Sequence, residues 1–131
     1  DNDGFIYYVG RKIDMVKHEN KIIPIHIVEK LAKSHPLILD CAVINVADSE
    51  DNQEIKICAV PKNKSQITHK QFHEYLMENL AFFMVPRFIE YKDNIRNKTG
   101  RIRKFRLRDE WKNKISQELT WDANIQDFYS L

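Results

Sequence analysis

The chain has 131 residues, of which 21 are Lys or Arg and 19 are Asp or Glu, so its formal net charge is only +2. This length argues for a single domain, and an apolar fraction of 43% excludes a disordered chain. Because the charge is nearly balanced, global charge gives no reason to expect a nucleic-acid or membrane-surface partner.

The first half of the chain predicts a hairpin and then a helix. Phe5–Val9 and Met15–Lys17 are strand-like runs on either side of the polar turn 11–14. Pro24 then suits the first position of a helix, which His35-Pro36 ends, because the residue before proline avoids the α region. The pattern places one group of residues on the buried face of this helix: Ile27, Leu31 and Ser34, with Val28 beside them.

Two strands and a second helix are predicted next. The strands cover about 40–46 and 54–60, with the acidic residues 48–52 as the turn of a hairpin. Thr68 and Gln71 form a capping box that begins a helix. Its apolar periodicity is carried by Phe72, Tyr75, Leu76, Asn79 and Leu80.

The last third adds a short strand over 88–91, a turn at Gly100 and a helix over 105–112. The tail 114–131 has no clear period, and we expect it to pack back on the sheet. The element order predicts an α+β fold, a small domain with a mainly antiparallel sheet flanked by helices.

The two cysteines, Cys41 and Cys58, lie in apolar runs. Without a secretory segment they predict buried thiols in a reducing compartment, which we take to be the cytoplasm, rather than a disulfide. No stretch is long and apolar enough to span a bilayer. The chain begins with Asp1 rather than Met, so we expect a piece of a longer protein that lacks parts of the site.

The five histidines do not predict a metal site. None has a metal-ligand spacing with cysteine or a carboxylate. His69 and His73 are four residues apart on the second helix, but the neighbouring acid, Glu74, follows the second histidine, whereas zinc proteases have it beside the first. We expect both to be solvated helix residues.

Lys98-Thr99-Gly100-Arg101-Ile102 is the most distinctive run. From Arg96 to Arg108 there are seven cations and no acid. Glycine tolerates the positive φ of a loop tip, so the turn can hold one cation out towards a phosphate or a carboxylate. A hairpin tip on a solvated face is the alternative.

Three segments, in order and with matching spacing, resemble the acyl-adenylate-forming synthetases. Residues 10–17, Gly-Arg-Lys-Ile-Asp-Met-Val-Lys, are similar to the family's hinge sequence Gly-Arg-Lys-x-Asp-x-Ile-Lys. His35-Pro36 with 42–48 is similar to its His-Pro…Ala-Val-x-Gly-x-x-Asp stretch. Residues 80–90 are similar to Leu-Ala-x-Phe-Lys-Val-Pro-Arg, and 99–102 follow where the family usually has Thr-Gly-Lys-Ile. The resemblance covers about residues 1–108.

The resemblance implies the mobile C-terminal domain of an AMP-forming acyl-CoA ligase, nearest the carnitine/crotonobetaine-CoA and fatty acyl-CoA ligases. ATP and a carboxylic acid would form an acyl-adenylate and pyrophosphate; the domain would then swing about the hinge, and CoA thiol would displace AMP. ATP and CoA are implied as substrates, with Mg²⁺ in the full-length enzyme and no cofactor held firmly by this domain. The implied partner is the large N-terminal domain of the same chain, without which this chain would be inactive. The implied boundaries are 1–14 for the end of that domain and the hinge, 15–112 for the mobile domain, and 113–131 for the tail.

The same resemblance implies site residues. Arg101 stands at the family's catalytic lysine position, on the loop with Thr99 and Gly100. Arg11 would contact the nucleotide. The hinge would be formed by Lys12, Ile13 and Asp14, and the CoA-binding segment by Lys17, His18, Asn20 and Lys21.

Two departures leave other functions open. Arginine at position 101 is a broad planar fork rather than a slim point charge, and the segment after the hinge lacks the family's glycine. Both favour a degenerate descendant that acts as a binding or regulatory module. A nucleic-acid-binding module that uses the cations 96–108, with Tyr91 and Phe105 for stacking, is a third possibility that we rank last.

Overall fold

The computed structural model describes residues 15–18, 21–63, 66–115 and 117–129. The strands are β1 (Met15–His18), β2 (Lys21–Pro24), β3 (Ile38–Ala47), β4 (Gln53–Pro61), β5 (Phe88–Tyr91), β6 (Thr120–Asp122) and β7 (Asp127–Phe128). The helices are α1 (Ile25–Lys33), α2 (His69–Asn79) and α3 (Lys104–Lys112), with 3₁₀ turns at Phe82–Met84 and Gln117–Leu119.

Five strands form the main sheet in the order β3-β4-β5-β6-β7. Every neighbouring pair is antiparallel except β4 and β5, which are parallel. β1 and β2 form a separate antiparallel hairpin. The predicted α+β class with a mainly antiparallel sheet is therefore confirmed.

The inner strand β4 is buried on both faces. Ile55, Ile57 and Ala59 belong to the cluster that α1 and α2 cover. Cys58 and Val60 face the opposite cluster, where α3 contributes Leu107 and Trp111. The alternation that predicted this strand is thus real, but both of its faces are covered.

One lysine lies inside the second cluster. Lys56 and Glu90 are 0% and 1% exposed, and their Nζ and Oε1 atoms are 2.8 Å apart. Lys92 Nζ lies 3.4 Å from the other oxygen of Glu90 and 2.8 Å from Glu110 of α3. A buried charge is tolerated when it is paired in this way, so the sheet can keep a polar residue beneath α3.

Arg87, just before β5, connects three parts of the fold. Its guanidinium donates to Asp48 in the β3–β4 turn at 2.9 Å, to Glu54 at 3.0 Å, and in a fork to both oxygens of Asp122 on β6 at 3.0 and 3.1 Å. Burial disfavours its charge, but these hydrogen bonds raise the pKa of Arg87 above its ordinary value. The guanidinium therefore stays charged and stabilises the meeting point of strands and turn.

Phe5–Val9, the predicted partner of Met15–Lys17, lies outside the described residues; within them, Met15–His18 pairs with Lys21–Pro24. The predicted buried face and start of α1 are wrong. In α1 the buried residues are Ile25, Val28 and Ala32, and Ile27 is 46% exposed. β2 runs directly into α1 through Pro24, which is the N-cap rather than the first helical residue. The helix therefore starts at Ile25, which is itself buried and defines the buried face together with Val28 and Ala32.

The later elements follow the sequence more closely. The β3–β4 hairpin and the capping box of α2 are confirmed, since Thr68 Oγ1 accepts from Gln71 N at 3.0 Å and Gln71 Oε1 accepts from Thr68 N at 2.9 Å. The tail adds β6 and β7 to the sheet. Trp121 is 5% exposed, and the Tyr129 hydroxyl accepts from Ser49 N at 2.8 Å. The tail therefore completes the domain.

We predict that Trp121→Ala lowers the free energy of unfolding by about 3–5 kcal/mol, because it removes a large aromatic ring from a closed core. Leu119→Ala, two residues earlier and 62% exposed, should change it by less than about 0.5 kcal/mol. Urea unfolding followed by circular dichroism measures both. Equal losses for the two variants would show that the tail does not seal the core.

Candidate functional site

The basic loop between β5 and α3 is a closed, ordered turn. Arg96 and Ile102 form an antiparallel bridge at its base. Gly100 N donates to Asn97 O at 3.0 Å, and Gly100 has a φ of +83°. A Cβ at Gly100 would meet no atom within 4 Å, so glycine is favoured there by its backbone conformation rather than by lack of space.

Asn97 holds the turn from inside. Its Oδ1 accepts from the backbone N of Thr99 at 3.0 Å, from the Thr99 hydroxyl at 2.7 Å and from the backbone N of Arg101 at 3.0 Å. The backbone N of Asn97 in turn donates to Arg101 O at 2.8 Å. Asparagine commonly forms such turns with residues that follow it, so this contact has a signal in the sequence.

Arg96 fastens the turn to the sheet. Its Nε and one terminal nitrogen donate to the two oxygens of Asp40 on β3 at 2.6 and 3.2 Å, and the other terminal nitrogen donates to Gly100 O at 2.7 Å. Asp40 also lies 3.7 Å from the ammonium of Lys33. No local sequence pattern predicted this contact, because 56 residues separate Asp40 from Arg96.

Arg101 points into solvent. Its side chain is exposed and has no hydrogen-bond or ion-pair partner among the described residues. Other cations of the run are occupied: Arg96 by Asp40, and Lys104 by Glu29 at 2.7 Å. Within this run, the exposed cations that have no acidic partner among the described residues are Lys98, Arg101, Arg103 and Arg106. The tip of the loop is therefore a local source of positive potential on a domain whose total charge is nearly balanced.

A shallow cleft of about 460 Å³ lies against the loop. Its lining residues are Asn94, Arg96, Asn97, Lys98, Thr99 and Arg106. These are hydrogen-bond donors and cations, with no carboxylate among them. An anionic group could approach the tip from this side without meeting an acidic side chain.

The other predicted site residues fall at the N-terminal end of the chain. Arg11, Lys12, Ile13, Asp14 and Asn20 lie outside the described residues. Lys17 and His18 are on β1 and Lys21 begins β2, and His18 pairs with Lys21 in the backbone ladder. The structure thus brings Thr99, Gly100 and Arg101 together in one turn, and it places the hairpin residues before α1, in a different part of the fold.

Both thiols, and the two histidines of α2, pack within the fold. Burial raises the pKa of Cys41 to about 12 and that of Cys58 to about 11, which leaves both protonated at neutral pH. The prediction of buried thiols is confirmed.

The prediction that His69 and His73 are solvated is wrong: the ring of His69 stacks on Tyr91 at 4.2 Å, and His73 is only 9% exposed. The reason is that the C-terminal strands extend the sheet beneath this face of α2.

Within the described ranges, no group of three or more His, Cys, Asp or Glu side chains is arranged to hold a metal ion. None of the helices in the described part of the chain combines the length and apolarity that crossing a membrane requires.

Residues 27–101 match the family model described as "AMP-binding enzyme C-terminal domain". Among curated relatives, the chain is 32% identical over 109 residues to crotonobetaine/carnitine–CoA ligase of Citrobacter koseri, a match that covers 82% of this chain and 21% of the relative. The ligase of the same name from Escherichia coli O8 is 31% identical over 103 residues, covering 78% of this chain and 20% of the relative. The chain therefore spans about a fifth of the length of these relatives.

Solved structures agree with the fold. The anthranilate CoA ligase AuaEII, solved in complex with anthranoyl-AMP, is 28% identical, with a TM-score of 0.73 over 88% of this chain and 23% of the ligase. A fatty acyl CoA synthetase of Mycobacterium tuberculosis has the same TM-score over 87% of this chain and 23% of its own, at 24% identity, which supports the fold alone.

We predict that the chain loses stability as the pH falls below about 6.5, the ordinary pKa of histidine. Burial lowers the pKa of His69, and burial, partly offset by Glu74, lowers that of His73. The unfolded state then binds more protons, so stability is fully present above the unfolded pKa and is lost below it. Urea midpoints at about pH 7.5 and about pH 5.5 measure the loss, which His73→Gln should reduce. His26→Gln, at an exposed position of α1, is the control; an equal reduction by both variants would contradict the assignment.

Proposed function

Because the chain belongs to the AMP-binding enzyme C-terminal domain family, we propose that it is the small mobile domain of an AMP-forming acyl-CoA ligase. The observation that carries the proposal is the ordered turn that holds Arg101 outward, at the position where the family usually has a lysine. The proposed partner is a large N-terminal domain of the same protein, and the chain alone is inactive. The proposed compartment is the cytoplasm.

The proposed reaction has two steps. In the first, a carboxylate oxygen attacks the α-phosphorus of ATP, and the bond between that phosphorus and the oxygen bridging to the β-phosphate breaks. The products are an acyl-adenylate and pyrophosphate, which departs. The thiol sulfur of CoA, having given up its proton, then attacks the acyl carbon, the bond to the AMP oxygen breaks, and AMP leaves with acyl-CoA as the product. Mg²⁺ would accompany the ATP phosphates, and no described residue is assigned to it.

Arg101 would act in the first step. The attacking carboxylate and the α-phosphate are both anions, and a cation held between them lowers the barrier by offsetting their repulsion as the bond forms. A guanidinium can bind both oxyanions through parallel N–H donors. It is also wider than an ammonium and donates in fixed directions, so arginine at this position is expected to support adenylation less well than lysine.

The remaining roles are proposed from the family. Arg11 would contact the nucleotide, and Lys12, Ile13 and Asp14 would form the hinge. The CoA segment would be Lys17, His18, Asn20 and Lys21. The proposed boundaries are 1–14 for the end of the N-terminal domain and the hinge, 15–112 for the mobile domain and 113–131 for the tail. The strands β6 and β7 join tail residues 117–129 to the sheet of the domain.

The acid is proposed to be a carnitine-like or fatty acid. The relatives named crotonobetaine/carnitine–CoA ligase support this choice. The acyl pocket would be formed by the N-terminal domain, so no described residue selects the acid.

A catalytically degenerate module is the second candidate, and the arginine at position 101 favours it. Such a protein would keep the fold and bind an anionic ligand without releasing pyrophosphate. A nucleic-acid-binding module would use Arg103 and Arg106, which have no acidic partner among the described residues, beside the exposed ring of Phe105. Salt-dependent binding of a generic oligonucleotide at physiological ionic strength would favour that function instead.

We predict that Arg101→Lys in the full-length protein raises the rate of acid-dependent pyrophosphate release, and that Arg101→Gln lowers it by about 10²-fold because the positioned charge is lost. The assay supplies ATP, CoA and a panel of carnitine-like and fatty acids, and it follows thioester formation in parallel. Lys112→Gln, an exposed cation at the other end of α3, is the matched control. If Arg101→Lys does not raise the rate of pyrophosphate release, arginine at this position does not slow adenylation and that part of the proposal is rejected. No thioester from any acid would favour the degenerate module.

A further inference from the structure

We propose that Arg96 and Asn97 are positioning residues for adenylation, which fix the point in space from which Arg101 reaches the reacting anions. This inference rests on the proposed function, because it assigns roles within the same site. The inference concerns hydrogen bonds within this domain, which close the loop without a bound substrate.

The need for such residues follows from the exposure of Arg101. Its side chain has no partner in the described part of the chain, so no described residue sets the direction of its flexible stem. Among the described contacts, those of the backbone of the turn are what can position it. A displacement of about 1 Å at a reacting centre can cost about 10²-fold in rate, so the position of this backbone matters.

Asn97 fixes that backbone from both sides. Its side-chain Oδ1 accepts from the N–H of Arg101 at 3.0 Å, and its own N–H donates to the carbonyl of Arg101 at 2.8 Å. Both polar backbone groups of Arg101 are thus held by one residue. The same Oδ1 accepts two bonds from Thr99, which closes the turn around a single acceptor atom.

Arg96 fixes where the closed turn stands. All three guanidinium nitrogens donate hydrogen bonds: two to the carboxylate of Asp40 and one to the carbonyl of Gly100, at distances of 2.6 to 3.2 Å. This carbonyl belongs to the residue directly before Arg101. The fork therefore joins the loop tip to β3. A lysine ammonium lacks the planar spread that serves two acceptors in this way.

The two arginines consequently have opposite tasks. The guanidinium of Arg96 donates to Asp40 and Gly100 within the domain. The donors of Arg101 are free to bind an anion outside it. The contacts lie on the surface, with 40% of the Arg96 side chain exposed, so their loss should not open either core cluster. Positioning and folding can therefore be separated by experiment.

The test has two arms. In the first, ¹⁵N relaxation and amide hydrogen exchange are measured at Gly100 and Arg101 in the 131-residue chain. In the second, kcat and KM for acid-dependent pyrophosphate release are measured in the full-length protein. The variants are Asn97→Ala, Asn97→Asp, Arg96→Gln and Arg96→Lys, with Lys112→Gln as the control for the loss of a surface cation.

We expect Asn97→Ala and Arg96→Gln to raise the mobility and exchange of the Gly100 and Arg101 amides, and to lower kcat at least about tenfold with KM for ATP within about twofold. Asn97→Asp keeps an acceptor oxygen at the same place and should restore both readouts. Arg96→Lys should restore them only in part. The thermal midpoint should be the same in all variants.

Unchanged amides in Asn97→Ala and Arg96→Gln would overturn the inference, as would an aspartate at 97 that behaves like alanine. A fall in kcat matched by Lys112→Gln would overturn it too, because it would then reflect charge alone. A full-length protein that is inactive before any substitution would refute the proposed function. An active protein whose variants keep full kcat would refute only the positioning role.

Discussion

The burial of β4 on both faces is the constraint on which the rest of this domain depends. A strand covered on one side by α1 and α2 needs a second layer on the other, and α3 with Tyr129 provides it. The chain must cross from the end of β5, the middle strand of the sheet, to that second layer, and the basic loop lies at this crossing. Its position is therefore a consequence of how the core is closed.

Burial on both faces also explains how charge is distributed. Lys56 is tolerated inside because Glu90 lies 2.8 Å away, on the strand that runs parallel to β4. Arg87 is retained near the start of β5 because three carboxylates surround its guanidinium. Acids are thus concentrated around the cations that hold the sheet together. Within the run 96–108, the exposed cations that have no acidic partner among the described residues lie at the loop and at the start of α3.

This distribution runs against the preference of a helix. The start of α3 carries the positive end of the helix dipole, where acids are favourable and cations are not, yet its first turn has no acid. Local rules that are broken without structural compensation often mark functional sites. In the proposed ligase the compensation would come from anions held by another domain, so the unfavourable charge would be relieved when the two domains meet.

The family relationship and the arginine at position 101 need to be considered together. The relatives share the fold over most of this chain, and the turn that presents the residue is well formed here. If Arg101 takes the place of the family's lysine, as proposed, the cation has a different shape, while the turn that carries it is formed here.

Local patterns determined much of this protein in advance. The β3–β4 hairpin, the capping box of α2 and the break after α1 follow from turn chemistry and proline geometry between near neighbours. The turn at Gly100 could be predicted because glycine and asparagine, both turn-forming residues, lie within five residues of each other.

The sequence could not place the bond between Asp40 and Arg96, the buried pair of Lys56 and Glu90, or the buried face of α1. These depend on partners that are distant along the chain, and such partners are chosen only when strands take their order in the sheet. The tail was hardest to predict because short strands buried against an existing sheet have no periodicity of their own, and only the packing of Trp121 and Tyr129 made them part of the fold.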